Sequence, residues 1–248
     1  FIIITCINNK IIIEINKYNQ IVGYENDNLE EIGNNFLNNN TELKYINIPK
    51  LKKVDDWVLI RNTKLESIYF PKLESVGNYF LSYDYNLKEV YLPKLRRTGK
   101  CFLKENNALV ELNLPSLEIL GDTAISSNNT LNIINLPKVK QIGEEFLTYN
   151  NSIKEINFPN LEILGNYSLT NNYVIKMVIL PKLRKTGLYF LNKKNENLIE
   201  VYFPYYNRKH EYIKLVESNN RIITGTEVSP TQKTEKVLYK RFIQRLHM

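Results

Sequence analysis

The apolar residues of this chain recur with a fixed spacing that ends on a proline. Aliphatic residues stand six and three positions before each of these prolines, and a large apolar residue stands directly before it. The last residues of this segment alternate between apolar and polar, which predicts a short strand with one buried side. The prolines lie at a constant spacing of 22, at Pro49, Pro71, Pro93, Pro115, Pro137, Pro159 and Pro181, and Pro204 follows at a spacing of 23. A fixed period in this range predicts a solenoid of stacked coils.

The residues that follow each proline predict how a coil closes. Proline cannot donate the next ladder hydrogen bond and so ends the strand. A leucine or valine two residues later is expected to turn inward, and an aromatic–Leu pair such as Phe80–Leu81 to close the coil. Six residues after most prolines stands a glycine, which we expect to permit a sharp turn. These glycines are Gly77, Gly99, Gly121, Gly143, Gly165 and Gly187.

A column of short polar side chains runs through the repeats, three residues before the first aliphatic position. Such side chains can bind turn backbone that would otherwise be buried without hydrogen bonds. The column comprises Asn40, Asn62, Asp84, Asn106, Asn128, Asn150, Asn172 and Asn195. The alternative function is N-glycosylation, but sequons are expected by chance in so asparagine-rich a chain. The sequons lie at Asn39, Asn128, Asn150 and Asn166.

The pattern NxxLxxIxLPxLxxIGxxFL resembles the leucine-rich repeat of the BspA-like and Treponema type, over about residues 27–204. The unit departs from the common one in its period of 22 and in having Phe-Leu in place of Ala-Phe. The resemblance implies a β-rich α/β-class, right-handed leucine-rich-repeat solenoid. One curved parallel sheet would form its concave face, and turns or short 3-10 segments its convex face. The resemblance also implies a microbial surface or secreted protein with an adhesin-like role.

The chain divides by pattern into three parts. Residues 1–26 hold two β-prone runs, FIIITCI and IIIEI, and are expected to form an N-terminal β cap. Residues 27–204 form the solenoid of about eight strand units, and a repeat array of this kind needs its end coils covered. Residues 205–248 are basic and are expected to form a partly helical cap or linker, with helices at 209–218 and after Ser229–Pro230. The second, amphipathic helix could also meet an anionic membrane or partner, or join the array to a further domain.

The outward positions of the strands are the candidate site for a partner. Tyrosine offers a large rigid surface with a polar end, which suits interfaces. Met177 and Ile179 depart most from the polar pattern, although scattered apolar surface residues are ordinary and the terminal segment could cover them. The predicted partner-binding residues are Tyr45, Tyr69, Tyr91, Glu89, Glu111, Ile133, Glu155, Met177, Ile179 and Tyr202.

The composition of the chain argues against several classes of function. With two histidines, two cysteines and no nucleophile–base or metal-ligand grouping, we expect no enzyme, no metal and no cofactor. Of the formal charge of +7, residues 205–248 hold nine basic against four acidic side chains, or +5. A lysine column flanks the strands, but glutamates lie beside it, which disfavours nucleic acid. We therefore expect a monomeric protein-interaction module. The alternative is an intracellular scaffold or effector recognition domain, with or without fusion to a catalytic region outside this chain.

Two repeats differ in packing. Ala124 and Ser168 replace the usual phenylalanine, and the same repeats carry Ile119 and Ile163 where others have polar or basic residues. We hypothesise that each isoleucine fills part of the volume that the missing ring leaves, as close-packed interiors require.

Overall fold

The computed structural model describes residues 2–6, 11–191, 197–198, 200–203 and 221–224, and these residues form short strands and turns without a helix. The strands are β1 (Ile2–Cys6), β2 (Ile11–Ile15), β3 (Ile21–Asn26), β4 (Glu31–Ile32), β5 (Tyr45–Asn47), β6 (Lys53–Val54), β7 (Ser67–Tyr69), β8 (Ser75–Val76), β9 (Glu89–Tyr91), β10 (Arg97–Thr98), β11 (Glu111–Asn113), β12 (Ile119–Leu120), β13 (Ile133–Asn135), β14 (Gln141–Ile142), β15 (Glu155–Asn157), β16 (Ile163–Leu164), β17 (Met177–Ile179), β18 (Lys185–Thr186), β19 (Glu200–Phe203) and β20 (Arg221–Thr224).

Each coil contributes one strand before its proline and one after it. The strands before proline lie in four hydrogen-bonded groups, β1–β2–β3–β5, β7–β9, β11–β13 and β15–β17–β19–β20, which together we call the first sheet. In its parallel pairs each residue lies opposite the residue one period later in the sequence, as Ser67 lies opposite Glu89. The strands after proline form a continuous eight-stranded parallel sheet from β4 to β18. The predicted solenoid of stacked parallel strands is therefore confirmed. The expectation of one parallel sheet is incomplete, because the residues after each proline form a second sheet.

The core is built from the positions that the repeat marks as apolar. In one coil, Leu87, Leu92 and Leu95 are at most 1% exposed. The phenylalanine rings behind them continue the stack from coil to coil, and the centroids of Phe80 and Phe102 lie 6.4 Å apart. Every coil thus buries its apolar side against its neighbours, which is the main favourable contribution to folding.

The third side of each coil has a left-handed backbone at every second residue. In the coil that follows Pro49, Trp57, Leu59 and Arg61 have φ values of 62°, 54° and 59°. The Trp57 and Arg61 amides donate to carbonyls of the next coil at 2.9 Å, while that of Leu59 donates to the preceding coil at 3.1 Å. This turn-side ladder of hydrogen bonds between coils offsets a conformation that is unfavourable for residues with a side chain.

The glycines do not have the role predicted for them. No glycine in the described residues has a positive φ. A Cβ atom on Gly121 would instead lie 2.2 Å from the carbonyl oxygen of Gly99, one coil earlier. The glycines are needed because neighbouring coils approach one another too closely there for any side chain. The sharp reversal of the chain is made by the left-handed residues that follow.

The two ends of the first sheet are continued by further strands. At the start, β1 pairs antiparallel with β2 and β2 with β3, and β3 pairs in parallel with β5. At the other end, β20 pairs in parallel with β19, a strand that the sequence pattern did not predict. The helices predicted at 209–218 and after Ser229–Pro230 lie outside the described residues.

Candidate interaction surface

The strand face is the outward side of the first sheet, made of the first and third residues of the strands before each proline. Alternation along a strand directs the middle residue inward and its neighbours outward. Tyr69, Tyr91, Glu89, Glu111, Ile133 and Glu155 are exposed on it, and Tyr45, Met177 and Ile179 are half-buried. The structure thus places nine of the ten predicted site residues at least partly in contact with solvent.

Tyr202 is the exception, since only 8% of it is exposed. Its strand, β19, lies between β17 and β20, with Tyr202 opposite Ile179 on one side and Ile223 on the other. The exposure expected for Tyr202 is therefore wrong. The added strand β20 turns what the repeat pattern presents as the last strand of the sheet into an internal one.

The strand face carries a pair of exposed, stacked tyrosines. Tyr69 and Tyr91 lie opposite each other in β7 and β9, with ring centroids 4.8 Å apart and ring planes at 5°. They are 57% and 51% exposed. The stacking follows from the register, because residues one period apart occupy the same place on adjacent strands. Together the rings form a rigid aromatic surface beside the sheet.

Carboxylates on the strand face differ from those on its flanks. Beside the face, Glu66 is paired with Lys88 at 2.8 Å. Among the residues that the structure describes, Glu89, Glu111 and Glu155 make no ion pair. Two of these glutamates lie opposite apolar residues of the following strand, Glu111 against Ile133 and Glu155 against Met177. The strand face therefore presents carboxylates that make no ion pair in the described residues, two of them next to apolar side chains.

Tyr45 belongs to the junction with the N-terminal strands. Burial, together with a hydrogen bond to Glu14 of β2, raises the pKa of Tyr45 to about 12. Its ring lies over Gly23, where a Cβ atom would come within 2.3 Å of the ring. Tyr45 is thus engaged within the chain, and the freely exposed part of the face begins at β7.

A second aromatic cluster, on the turn side, was not among the predicted site residues. Trp57 and Tyr79 stack with their centroids 4.0 Å apart. Arg61 and Lys104 lie over the Tyr83 ring, 5.4 and 5.8 Å from its centroid. Aromatic residues spaced one period apart were the available sequence signal. Each of these rings therefore contacts another ring or a cation of the chain itself.

The described residues provide little catalytic chemistry. Burial raises the pKa of the Cys101 thiol, which lowers its reactivity because the thiolate is the nucleophile. No group of three or more histidine, cysteine or acidic side chains in this part of the chain is placed to hold a metal ion. Nor does this part contain a helix of the length and apolarity that crossing a bilayer requires.

The repeat geometry agrees with a comparison to known families. The sequence matches the family described as the BspA type leucine rich repeat region, in six copies over residues 4–102 and 96–214. The chain belongs to this family. Leucine-rich repeat proteins of this type are in general protein-binding scaffolds, and they are often found at the cell surface or secreted. No curated protein matches the sequence significantly.

Three solved structures match the chain, and the first of them shows the same fold. A leucine-rich repeat protein of T. pallidum has a TM-score of 0.51 at 15% identity, with 78% of this BspA-type chain and 90% of that chain covered. A leucine-rich repeat protein of Bacteroides ovatus matches at 17% identity over 82% of this chain and 70% of its own, with a TM-score of 0.43. The pneumococcal vaccine antigen PcpA matches at 12% identity over 96% of both chains, with a TM-score of 0.34.

Proposed function

We propose that the chain is a non-enzymatic module that binds a protein partner through the strand face, with the Tyr69–Tyr91 stack at its centre. The observation that carries the proposal is the stack itself, which is exposed and already ordered. Rigid aromatic side chains lose little conformational entropy on binding and are enriched among the residues that dominate interface energies. The partner-binding residues are the exposed and half-buried members of the predicted set from β7 onward, without Tyr45, which is engaged with Glu14.

The charge of the strand face favours a partner that presents arginine or lysine. Glu89 stands two residues from Tyr91 in β9, and Glu111 lies in β11, the first-sheet strand of the next coil. A guanidinium group can stack on a tyrosine ring and pair with a carboxylate at the same time. Complementary charge of this kind raises the rate of association and selects among partners.

The family favours a setting at the surface of a microbe. We propose that this protein acts there as a surface-bound or secreted adhesin-like receptor. The alternative, an intracellular scaffold or effector recognition domain, would use the same strand face. A fusion of the full-length gene product to a fluorescent or epitope tag, probed with and without permeabilisation of the cells, separates the two settings.

A binding experiment tests the strand face. Proteins captured by the wild-type chain are purified and their affinities measured against the Tyr69→Ala, Tyr91→Ala double variant. We expect a loss of at least about 30-fold in affinity, as for residues at the centre of an interface. Tyr149→Ala is the matched control, because Tyr149 is equally exposed at 51% but lies on the turn side. Equal affinities of wild type and double variant for every partner would contradict the proposal that the strand face binds a protein.

The charge proposal is tested separately with Glu89→Gln and Glu111→Gln. We expect slower association and a weaker dependence of the association rate on salt, with little change in the dissociation rate. Equal association rates for these variants and the wild type at low salt would contradict the proposal that the partner is cationic. The proposed role of the tyrosines would not be affected.

A further inference from the structure

The column of asparagines forms a buried ladder in which Asn106, Asn128, Asn150 and Asn172 make the same two contacts. At its start, the side-chain oxygen of Asn62 is buried without a hydrogen-bond partner. The side-chain oxygen of Asn128 accepts from the backbone amide of Asn106, one coil earlier, at 2.6 Å. Its Nδ2 donates to the carbonyl of Leu103, 25 residues earlier, at 2.9 Å. The same donation to the carbonyl 25 residues earlier is made by Asn62, Asn106, Asn150 and Asn172.

Asp84 occupies a position in this ladder but has no Nδ2. Its Oδ1 accepts from the backbone amide of Asn62 at 2.5 Å, as an asparagine oxygen would. Its Oδ2 is buried and has no hydrogen-bond partner. In the asparagines of the ladder, the Nδ2 group takes the place of this atom and donates to the carbonyl 25 residues earlier. For Asp84 the carbonyl 25 residues earlier is that of Leu59. In the described part of the chain, the Leu59 carbonyl accepts no hydrogen bond either.

An ionised carboxylate would leave this arrangement unsatisfied. Two oxygen atoms without a proton between them repel each other, and a charge buried without a partner is strongly unfavourable. A proton on Oδ2 removes both difficulties, since the acid then has one hydroxyl donor. We propose that Asp84 is held as the neutral carboxylic acid, donating to the carbonyl of Leu59, and that this proton makes the stability of the solenoid fall as the pH rises.

The surroundings of Asp84 support a neutral acid. Burial raises the pKa of Asp84 well above its usual value, against the smaller, opposite effect of the hydrogen bond from Asn62. Neither cause is a charged neighbour. The titratable side chains within two residues of the ladder positions on the three adjoining coils are Arg61, Lys64, Tyr83, Tyr85, Lys104 and Glu105. All six are exposed or half-buried, whereas Asp84 is completely buried.

The sign of the pH dependence follows from the two states. An unfolded aspartate releases its proton at a pKa of about 3.9, whereas the folded state retains the proton to a higher pH. Folding therefore takes up one proton above that pH. The stability linked to Asp84 is fully present below the unfolded pKa and is lost as the pH rises toward the folded one. The loss approaches tenfold in the folding equilibrium constant for each pH unit.

The test compares wild type with Asp84→Asn, which restores the Nδ2 donor and should fold at least as well. Denaturant unfolding is followed between about pH 5 and pH 9, together with hydrogen exchange of the Asn62 amide, which reports on this rung alone. We expect the advantage of the variant to grow with pH. We also expect the infrared carbonyl band of a protonated carboxylic acid at neutral pH in the wild type and its loss in the variant.

Asn106→Asp provides the mirror experiment, because Asn106 donates to the carbonyl of Leu81 at 2.7 Å. This variant should acquire a second stability loss with rising pH and a second protonated-acid band. A difference between wild type and Asp84→Asn that is constant with pH, a variant less stable than wild type throughout, or the absence of the band would each overturn the proposal.

Discussion

The asparagine ladder and the strand face run along the same coils but follow opposite rules. In the ladder, Asn106, Asn128 and Asn150 make the same contacts at every step. On the strand face, the corresponding positions of adjacent strands change from serine to glutamate or from glutamate to isoleucine. The residue type at the ladder position is constrained because each side chain makes hydrogen bonds to backbone groups of the neighbouring coils. The strand-face position touches solvent, so its variation is available to define a partner.

The largest difference in stability between the two regions is expected when one side chain is removed from the asparagine ladder. Asn128→Ala leaves the Asn106 amide and the Leu103 carbonyl buried without partners. Each unsatisfied group costs about 1–3 kcal/mol, so we expect a loss of about 2–5 kcal/mol in the free energy of unfolding. Denaturant unfolding measures this loss. Asn135→Ala is the control, because Asn135 lies exposed on the strand face, and should change stability by about 0.5 kcal/mol or less. Equal losses for both variants would show that the two regions are not distinct.

A smaller effect is expected where the coils approach one another. Gly121→Ala places a methyl group 2.2 Å from the Gly99 carbonyl oxygen, so backbone has to move. We expect a loss of about 1–3 kcal/mol, as for other overpacked sites. Thermal unfolding of this variant is compared with that of Gly33→Ala, where the added methyl group meets nothing within 4 Å. A Gly121→Ala protein as stable as Gly33→Ala would mean that the coils can separate freely.

The smallest effect tests the hypothesis about isoleucine packing, which the structure contradicts. Ile163 is 39% exposed and Ile119 is half-buried, whereas Leu120 and Leu164, their neighbours in β12 and β16, are each 1% exposed. The isoleucines point away from the positions that lack a phenylalanine ring. Ile163→Ser should therefore change the free energy of unfolding by about 0.5 kcal/mol or less. Leu164→Ala is the comparison, with an expected loss of about 2–5 kcal/mol. A large loss from Ile163→Ser would restore the original hypothesis.

The parts of the fold that the sequence predicted are those that repeat in residue type. Leucines such as Leu87 and the asparagine column are marked by spacing alone, because a buried side chain or a buried hydrogen bond leaves little choice of residue. The second sheet was missed because each of its strands has two residues, too few to show an alternation. The turn-side ladder was missed because its left-handed positions hold residues such as Trp57 and Leu59. Left-handed backbone is usually signalled by glycine or asparagine.

The candidate site shows the same limit. The exposure of Tyr69 and Tyr91 followed from strand alternation, and their stacking could have been anticipated from the register of the repeat. Tyr202 could not be placed correctly, because its burial depends on β20, which lies outside the repeat pattern. The engagement of Tyr45 with Glu14 was equally hidden, since it joins an antiparallel strand to a parallel one. The spacing of the repeat predicts contacts only between elements that share its period, so the contacts that β2 and β20 make with the solenoid could not be predicted from it.

The left-handed backbone of the turn side limits how the molecule can form and how its length can change. An isolated coil has nothing to offset this conformation, which costs about 1–2 kcal/mol per residue, so a single coil has no stable shape of its own. Assembly therefore has to start from several coils together and extend outward from them. For the same reason, removal of one whole repeat unit would join surfaces that already match. Removal of part of a unit would put the strands, the turn-side ladder and the asparagine ladder out of register. The coil is the smallest length by which such a protein can be shortened or extended without a new fold.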